Sequence, residues 1–164
     1  MKKLTALLLI VCICLSLSAC GNDTQTGGNN GGGGNATKEN SKEISPGVVM
    51  IDDCKIAIGE KRQFVGNNVT GQAYVALQVK YTNNSDQERS LKSVAKIRVY
   101  QNGVECKESR VAGYNTNGYT GNEDILPGNS QTLLLTYEIK KLNEPVLIKI
   151  LDGSTVISEF TYTP

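Results

Sequence analysis

Residues 48–164 are built from short runs in which apolar and polar side chains alternate, and this alternation restricts the fold more than any other feature. In the run Tyr74–Tyr81, Val75 and every second residue after it are apolar, so an extended chain would have one apolar face. Leu133–Ile139 repeats the pattern. No long run has the period of an amphipathic helix. The sequence therefore predicts an all-β domain of half-buried strands.

Turn dipeptides separate these runs. Asn102-Gly103 and Asp152-Gly153 each stand between two runs and tolerate positive φ, which suits two-residue hairpin turns. Pro127-Gly128 and Asn83–Asp86 also predict turns. The segments between the turns predict seven strands, a number typical of an immunoglobulin-like antiparallel β-sandwich. They are Val48–Ile58, Ala73–Tyr81, Val94–Tyr100, Val104–Cys106, Thr132–Ile139, Val146–Leu151 and Thr155–Tyr162.

The N-terminus has the pattern of a secretory signal. Lys2 and Lys3 precede an apolar run, Leu7–Leu15, that is shorter than the roughly 20 residues needed to span a bilayer. The run ends in Leu17-Ser18-Ala19-Cys20, which resembles the lipobox of bacterial lipoproteins. We expect residues 1–19 to be removed and Cys20 to carry diacylglycerol, with palmitate among its acyl chains. An ordinary secretory signal with a chance cysteine is the alternative.

Residues 20–45 are mostly Gly, Asn, Thr, Ser, Lys and Glu, with almost nothing to bury. This composition predicts a flexible linker between the lipidated cysteine and the folded domain. Pro46-Gly47 marks the expected boundary, so the sandwich is placed at residues 46–164. Glycine-rich segments can also bind phosphate, but no strand, helix or Lys-Ser/Thr pair frames this one.

Charge and composition argue against several functions. Seventeen basic and sixteen acidic residues give a net charge of +1, so no basic excess indicates nucleic-acid binding. The chain has no histidine, which removes the commonest catalytic triads and His-ligated zinc sites. Asp52-Asp53 and Glu123-Asp124 match no metal-binding motif and are interpreted as solvated loop charges. The sequence predicts no catalytic residue, metal or cofactor.

Cys54 and Cys106 remain after removal of the signal and lipidation of Cys20. Outside the cytoplasm an oxidising environment would allow them to form a disulfide. Both also lie in register with apolar neighbours, so they could instead be two buried thiols. The sequence leaves both alternatives open.

The segment Gly113–Asn122 combines two tyrosines with small polar residues, as binding loops on β-sandwiches do. We predict that it forms a partner-binding loop, in which Tyr114, Asn115, Asn117 and Tyr119 make the contacts. The alternative is a long connection in which Tyr114 or Tyr119 packs back against the domain.

Three stretches carry a resemblance when read in order: Ala76–Ser85, Tyr100–Glu105 and Ile125–Ser130. After the lipobox-like segment, they resemble a family of immunoglobulin-like lipoprotein domains of unknown function, common in low-GC Gram-positive bacteria. The resemblance implies an extracytoplasmic binding or structural module without catalytic residues. Cys106 departs from it, since an apolar residue is expected there.

These observations support one main functional hypothesis. The chain would be a lipoprotein at the outer face of the cytoplasmic membrane, held by the diacylglyceryl group on Cys20, and its sandwich would bind a protein or cell-wall glycan. The alternative is a structural or accessory subunit of an envelope complex, which docks through a sheet edge and has no small ligand.

Overall fold

The computed structural model describes residues 40–66, 70–112, 114 and 118–164. These residues form nine strands and one short helix. In chain order they are β1 (Ser41–Ser45), β2 (Val48–Ile51), β3 (Cys54–Val65), β4 (Ala73–Asn83), α1 (Leu91–Val94), β5 (Lys96–Gln101), β6 (Val104–Cys106), β7 (Ser130–Ile139), β8 (Val146–Asp152) and β9 (Thr155–Tyr162).

The strands form two antiparallel sheets. The five-stranded sheet has the order β1-β2-β3-β4-β7, and the four-stranded sheet has the order β6-β5-β8-β9. The second order corresponds to strands C′-C-F-G of an immunoglobulin-like domain, and β3-β4-β7 corresponds to strands A-B-E. The predicted all-β, immunoglobulin-like sandwich is confirmed.

The core lies between the sheets and follows the alternation seen in the sequence. Val75, Leu77 and Val79 of β4 are fully buried, while Gln78 and Lys80 are exposed. Ile148 and Ile150 of β8 face them from the four-stranded sheet and are also fully buried. The period-2 pattern therefore identified the inward face of the central strand.

The predicted strand Val48–Ile58 is wrong as a single element, because a hairpin interrupts it. Asp52 and Asp53 have φ angles of 45° and 62°, and Ile51 pairs with Cys54 across the turn. Two consecutive positive φ angles are typical of a type I′ turn, which aspartate tolerates better than most residues. The apolar alternation continues on both sides of the turn, so the sequence pattern alone does not show the break.

The predicted boundary at residue 46 is also too late. Ser41–Ser45 form β1, which pairs with β2, and Pro46-Gly47 is the turn between them. Ser41 donates a hydrogen bond to Asp152 (2.7 Å), and Ser158 donates one to Glu43 (2.7 Å). Polar side chains hold this edge strand to β8 and β9 by hydrogen bonds, so its sequence has no apolar alternation that would predict a strand. The earlier part of the predicted linker and Cys20 lie outside the described residues.

Some element ends also differ from the sequence interpretation. The predicted start of a strand at Val94 is wrong, because Leu91–Val94 form α1 and β5 begins at Lys96. Leu91 and Val94 are buried, and Ser93 accepts a hydrogen bond from the Ser90 N–H. The capping contact and the inward-facing leucine explain the helical turn.

Candidate functional site

The chain crosses from the four-stranded sheet to the five-stranded sheet after β6. β6 pairs with β5 from Gln101↔Val104 to Val99↔Cys106 and then leaves it. The next residues run beside β7 instead. The Glu138 N–H donates to the Lys107 carbonyl and the Ser109 N–H donates to the Thr136 carbonyl, both at 2.8 Å. The crossing opens a gap between β5 and the segment that follows β6.

That gap is a cleft of about 510 Å³, bounded by α1, β5, β6 and β7. Its volume lies within the range of about 300–1,000 Å³ that is usual for ligand pockets. Apolar side chains contribute much of the lining: Leu91, Ala95, Ile97 and Leu135. Charged side chains surround them: Lys92, Lys96, Arg98, Glu105, Lys107 and Glu108. We refer to this feature as the cleft.

The charges around the cleft do not balance. Lys92 pairs with Glu108 (2.8 Å), and Arg98 pairs with Glu105 (3.7 Å). Lys96 and Lys107 are exposed and have no carboxylate within ion-pair distance among the described residues. Four cations and two carboxylates leave a surplus of two positive charges. The cleft therefore favours a ligand that carries negative charge.

Two titratable groups inside the cleft are held neutral. Burial raises the pKa of the Cys106 thiol. Burial also raises the pKa of Tyr137, and the charges of Glu108 and Glu105 raise it further. The Tyr137 hydroxyl donates to the Ile97 carbonyl at 3.1 Å. At neutral pH the cleft therefore presents a thiol and a hydroxyl beneath its charged residues.

Tyr114, a predicted contact residue, packs against the domain itself. Its ring stacks on Phe64 with centroids 3.8 Å apart and an interplanar angle of 15°. The Arg62 guanidinium lies 5.0 Å from the centroid of the Tyr114 ring, and Phe64 also stacks on Tyr74 at 5.6 Å. This half-buried arrangement matches the alternative in which the tyrosine packs back.

Tyr119 has different surroundings. Its side chain is 43% exposed and lines a recess of about 60 Å³, which shares Lys92 and Glu108 with the cleft. The loop thus brings Tyr119 to the border of the cleft and Tyr114 onto the aromatic stack. Asn115 and Asn117 lie outside the described residues.

Glu123 fixes the loop beside the cleft. Its carboxylate accepts hydrogen bonds from the Thr120 N–H (2.8 Å), the Gly121 N–H (2.9 Å) and the Thr120 hydroxyl (2.8 Å). Burial alone would raise the pKa of Glu123, but these hydrogen bonds hold it below its usual value. The Gly121 carbonyl accepts the Lys92 N–H at 2.8 Å. The interpretation of Glu123 as a solvated loop charge is wrong, because its carboxylate orders the turn that contacts α1.

Asp52-Asp53, the other acidic pair, forms the β2–β3 turn. Within the described ranges, no cluster of three or more Cys, Asp or Glu residues could hold a metal ion.

The two cysteines are free and have separate environments. Cys54 is fully buried in the five-stranded sheet, with its Sγ 3.5 Å from Asn83 Oδ1 and 3.4 Å from the Tyr81 hydroxyl oxygen. Cys106 lies on β6 of the four-stranded sheet, at the cleft. The disulfide is not formed, and the alternative of two buried thiols describes the structure.

The sequence stretches that carry the family resemblance have a structural role. The Asn83 amide donates to the carbonyls of Gln87 (2.7 Å) and Ile125 (2.9 Å), and its oxygen accepts from the Ser85 N–H (3.1 Å) and hydroxyl (2.7 Å). Two of the three stretches therefore meet at one buried side chain. In the remaining stretch, Tyr100–Glu105, the buried Gln101 side chain orders the turn after β7. Its amide nitrogen donates to the Lys141 carbonyl, and its oxygen accepts from the backbone N–H groups of Lys140 and Lys141.

Sequence reasoning missed the cleft. Lys96 is the first residue of β5 and Lys107 follows β6, and no spacing rule places the two side chains together. The sequence signal that could have indicated this site is a lysine in the chain on each side of the predicted Asn102-Gly103 hairpin.

Comparison with known families identifies the domain. Residues 33–152 match the family described as "Domain of unknown function (DUF5067)". The chain belongs to this family. Its match begins before β1, which agrees with a DUF5067 domain that starts ahead of residue 46.

Two solved structures share the fold of this DUF5067 protein. A protein described as a "putative lipoprotein" from Staphylococcus aureus has a TM-score of 0.58 and 12% identity, over 76% of this chain and 93% of its own. An uncharacterized β-sandwich protein from Clostridium difficile has a TM-score of 0.53 and 15% identity, over 79% and 98%. A search of curated proteins gives no match. In the part of the chain that the structure describes, no helix is long and apolar enough to cross a membrane.

Proposed function

We propose that this protein is a lipid-anchored binding module that presents its sandwich at the outer face of the cytoplasmic membrane. The segment Leu17–Cys20 and the charged, apolar signal pattern before it support the anchor. A similar structure described as a "putative lipoprotein" is in keeping with it. Two acyl chains on Cys20 would supply the buried hydrocarbon that stable anchoring requires.

The cleft is the proposed contact site for a protein or cell-wall glycan partner. The observation that carries this proposal is the surplus positive charge beside an apolar lining, in a cavity of about 510 Å³. Apolar lining supplies binding energy, and a few placed charges supply orientation. Tyr119 borders the same region and extends the contact surface.

In-cell crosslinking of the full-length protein, followed by affinity recovery and mass spectrometry, tests the cleft. The informative variant is Lys96→Glu with Lys107→Glu, since both side chains are exposed and neither is paired with a carboxylate of the described residues. Its matched control is Lys55→Glu with Lys80→Glu, which changes the same charge on exposed positions of β3 and β4. We expect the partner to be lost only from the cleft variant. Equal recovery from both variants would contradict the proposal.

The tyrosine loop is tested in the same way. Tyr119→Ala should weaken capture with little change in stability. Tyr114→Ala should instead cost about 0.5–1.5 kcal/mol of stability, because it removes a stacked pair. If Tyr114→Ala abolished partner capture without changing stability, Tyr114 would be a contact residue of the binding site.

Anchoring needs a separate measurement. Intact-mass analysis of the membrane fraction should find a chain that begins at Cys20 and carries acyl groups, and Cys20→Ala should abolish acylation. An unmodified chain in the membrane fraction would contradict the anchor.

Docking through a sheet edge is the second candidate. β9 is eight residues long and lies at the edge of the four-stranded sheet, where Val156 is 44% exposed. Long edges with exposed apolar side chains are suited to pairing with another strand. A proline substitution at an exposed position of β9 tests this candidate. Loss of the partner from the proline variant, together with its retention by the Lys96→Glu, Lys107→Glu variant, would favour docking through the sheet edge.

A further inference from the structure

We infer that the cleft binds an extended acidic peptide segment, which adds to the open half of β5 as an extra strand. This inference rests on the proposed function and narrows its partner from a protein or glycan to a peptide of stated charge and conformation. Three observations carry it: an unpaired length of strand, a surplus of positive charge and an apolar floor.

The first half of β5 has a strand neighbour on one side only. Residues Lys96 to Arg98 pair with β8, whereas pairing with β6 begins at Val99. β6 has three residues, and the chain after Cys106 turns away to β7. The edge of Lys96–Arg98 that faces away from β8 therefore borders the cleft.

The backbone at this edge is oriented for strand addition. The Ile97 carbonyl receives the Tyr137 hydroxyl, which lines the cleft, so this carbonyl points into the cleft. In an antiparallel strand the N–H and C=O of one residue point to the same side. The Ile97 N–H thus points the same way and can donate to an incoming chain. Peptides that join a sheet in this manner gain affinity from backbone hydrogen bonds.

Charge decides which peptide fits. Lys96 lies on the open edge, and Lys107 lies on the segment across from it; neither is paired with a carboxylate of the described residues. An extended peptide alternates its side chains between two faces. Acidic side chains on one face would meet the lysines, while apolar side chains on the other would meet Leu91 and Leu135. A peptide of alternating acidic and apolar residues matches both.

Binding of designed peptides to the full chain in detergent micelles tests the inference by fluorescence anisotropy. One labelled peptide alternates Glu with Val, and a second alternates Lys with Val. A third repeats the acidic sequence with N-methylated backbone amides, which retain the side chains but cannot donate to a strand. We expect the first peptide to bind about tenfold or more tightly than either of the others.

Protein variants locate the interaction. Lys96→Glu with Lys107→Glu should weaken binding of the acidic peptide about tenfold or more, whereas Lys55→Glu with Lys80→Glu should change it much less. Hydrogen exchange at the Ile97 amide should slow when the acidic peptide is bound. Equal binding of the N-methylated peptide, or protection on β9 instead of β5, would overturn the inference.

Other ligands separate this inference from the proposed function. If a cell-wall oligosaccharide protects the cleft and the acidic peptide does not bind, the peptide inference is wrong and the binding-module proposal stands. If no probe binds and the cleft variant keeps its partner in cells, both are wrong.

Discussion

At the scale of single residues, Asn83 is a fully buried amide that closes two loops at the end of β4. We predict that Asn83→Ala lowers the free energy of unfolding by about 2–4 kcal/mol, because the hydrogen bonds of the buried amide to the Gln87 and Ile125 carbonyls and from Ser85 are lost. Urea denaturation measures the change. The neighbouring Asn84→Ala is the control, since that side chain is exposed. Similar losses in both variants would show that the amide contacts are not the cause.

The two thiols give a second residue-scale prediction. Alkylation of the unfolded protein without reductant should label both Cys54 and Cys106, since both are free. In the folded protein Cys106 should react slowly at neutral pH, because burial raises its pKa and keeps the thiol protonated. Mass spectrometry counts the labels. Two cysteines that become reactive only after reduction would contradict the structure.

At the scale of elements, the β2–β3 hairpin depends on two residues with positive φ. Asp53 has a φ of 62° and an exposed side chain, so its conformation is the main constraint on its identity. Asp53→Gly should stabilise the protein by roughly 0.5–1 kcal/mol, and Asp53→Val should destabilise it by about 1–2 kcal/mol. Thermal unfolding of the two variants and the wild type measures the direction of each change in stability. A stabilising valine would mean that the turn has another geometry.

The turn at Thr120–Glu123 gives a prediction about pH. The pKa of Glu123 is lower in the folded protein than its unfolded value of about 4.3, so its contribution to stability is present above that pH. It is lost as the pH falls through the folded-state pKa. Glu123→Gln should therefore destabilise the protein at neutral pH, and the difference from wild type should shrink below pH ~4. A difference that is constant with pH would contradict the hydrogen-bonded carboxylate.

The elements also show what local patterns can and cannot predict. β6 and β9 have the predicted bounds, because the turns Asn102-Gly103 and Asp152-Gly153 and the alternation beside them act locally. The turn at Asp52-Asp53 was missed because apolar residues continue on both sides of it. β1 was missed because an edge strand held by polar contacts needs no apolar face.

At the scale of the whole molecule, the cleft depends on where the chain crosses between sheets. Leu91, Ile97 and Leu135 come from three elements and meet only after the sandwich has formed. Short-range patterns predict strands and turns, but the meeting of these three side chains follows from the sheet topology and the crossing after β6. The composition of the loop around Tyr119 predicted a binding region that borders the cleft. The unpaired lysines of the cleft, Lys96 on β5 and Lys107 after β6, lie outside that loop.

Site-specific photocrosslinking in living cells tests the central claim most directly. A photoreactive amino acid would replace Glu105 in the cleft, Lys80 on the outer face of the five-stranded sheet, or Val156 on the β9 edge, one position at a time. We expect a discrete crosslinked product from position 105, where the cleft lysines are retained, and none from position 80 or 156. A product from position 156 with none from position 105 would contradict the cleft and place the partner on the sheet edge.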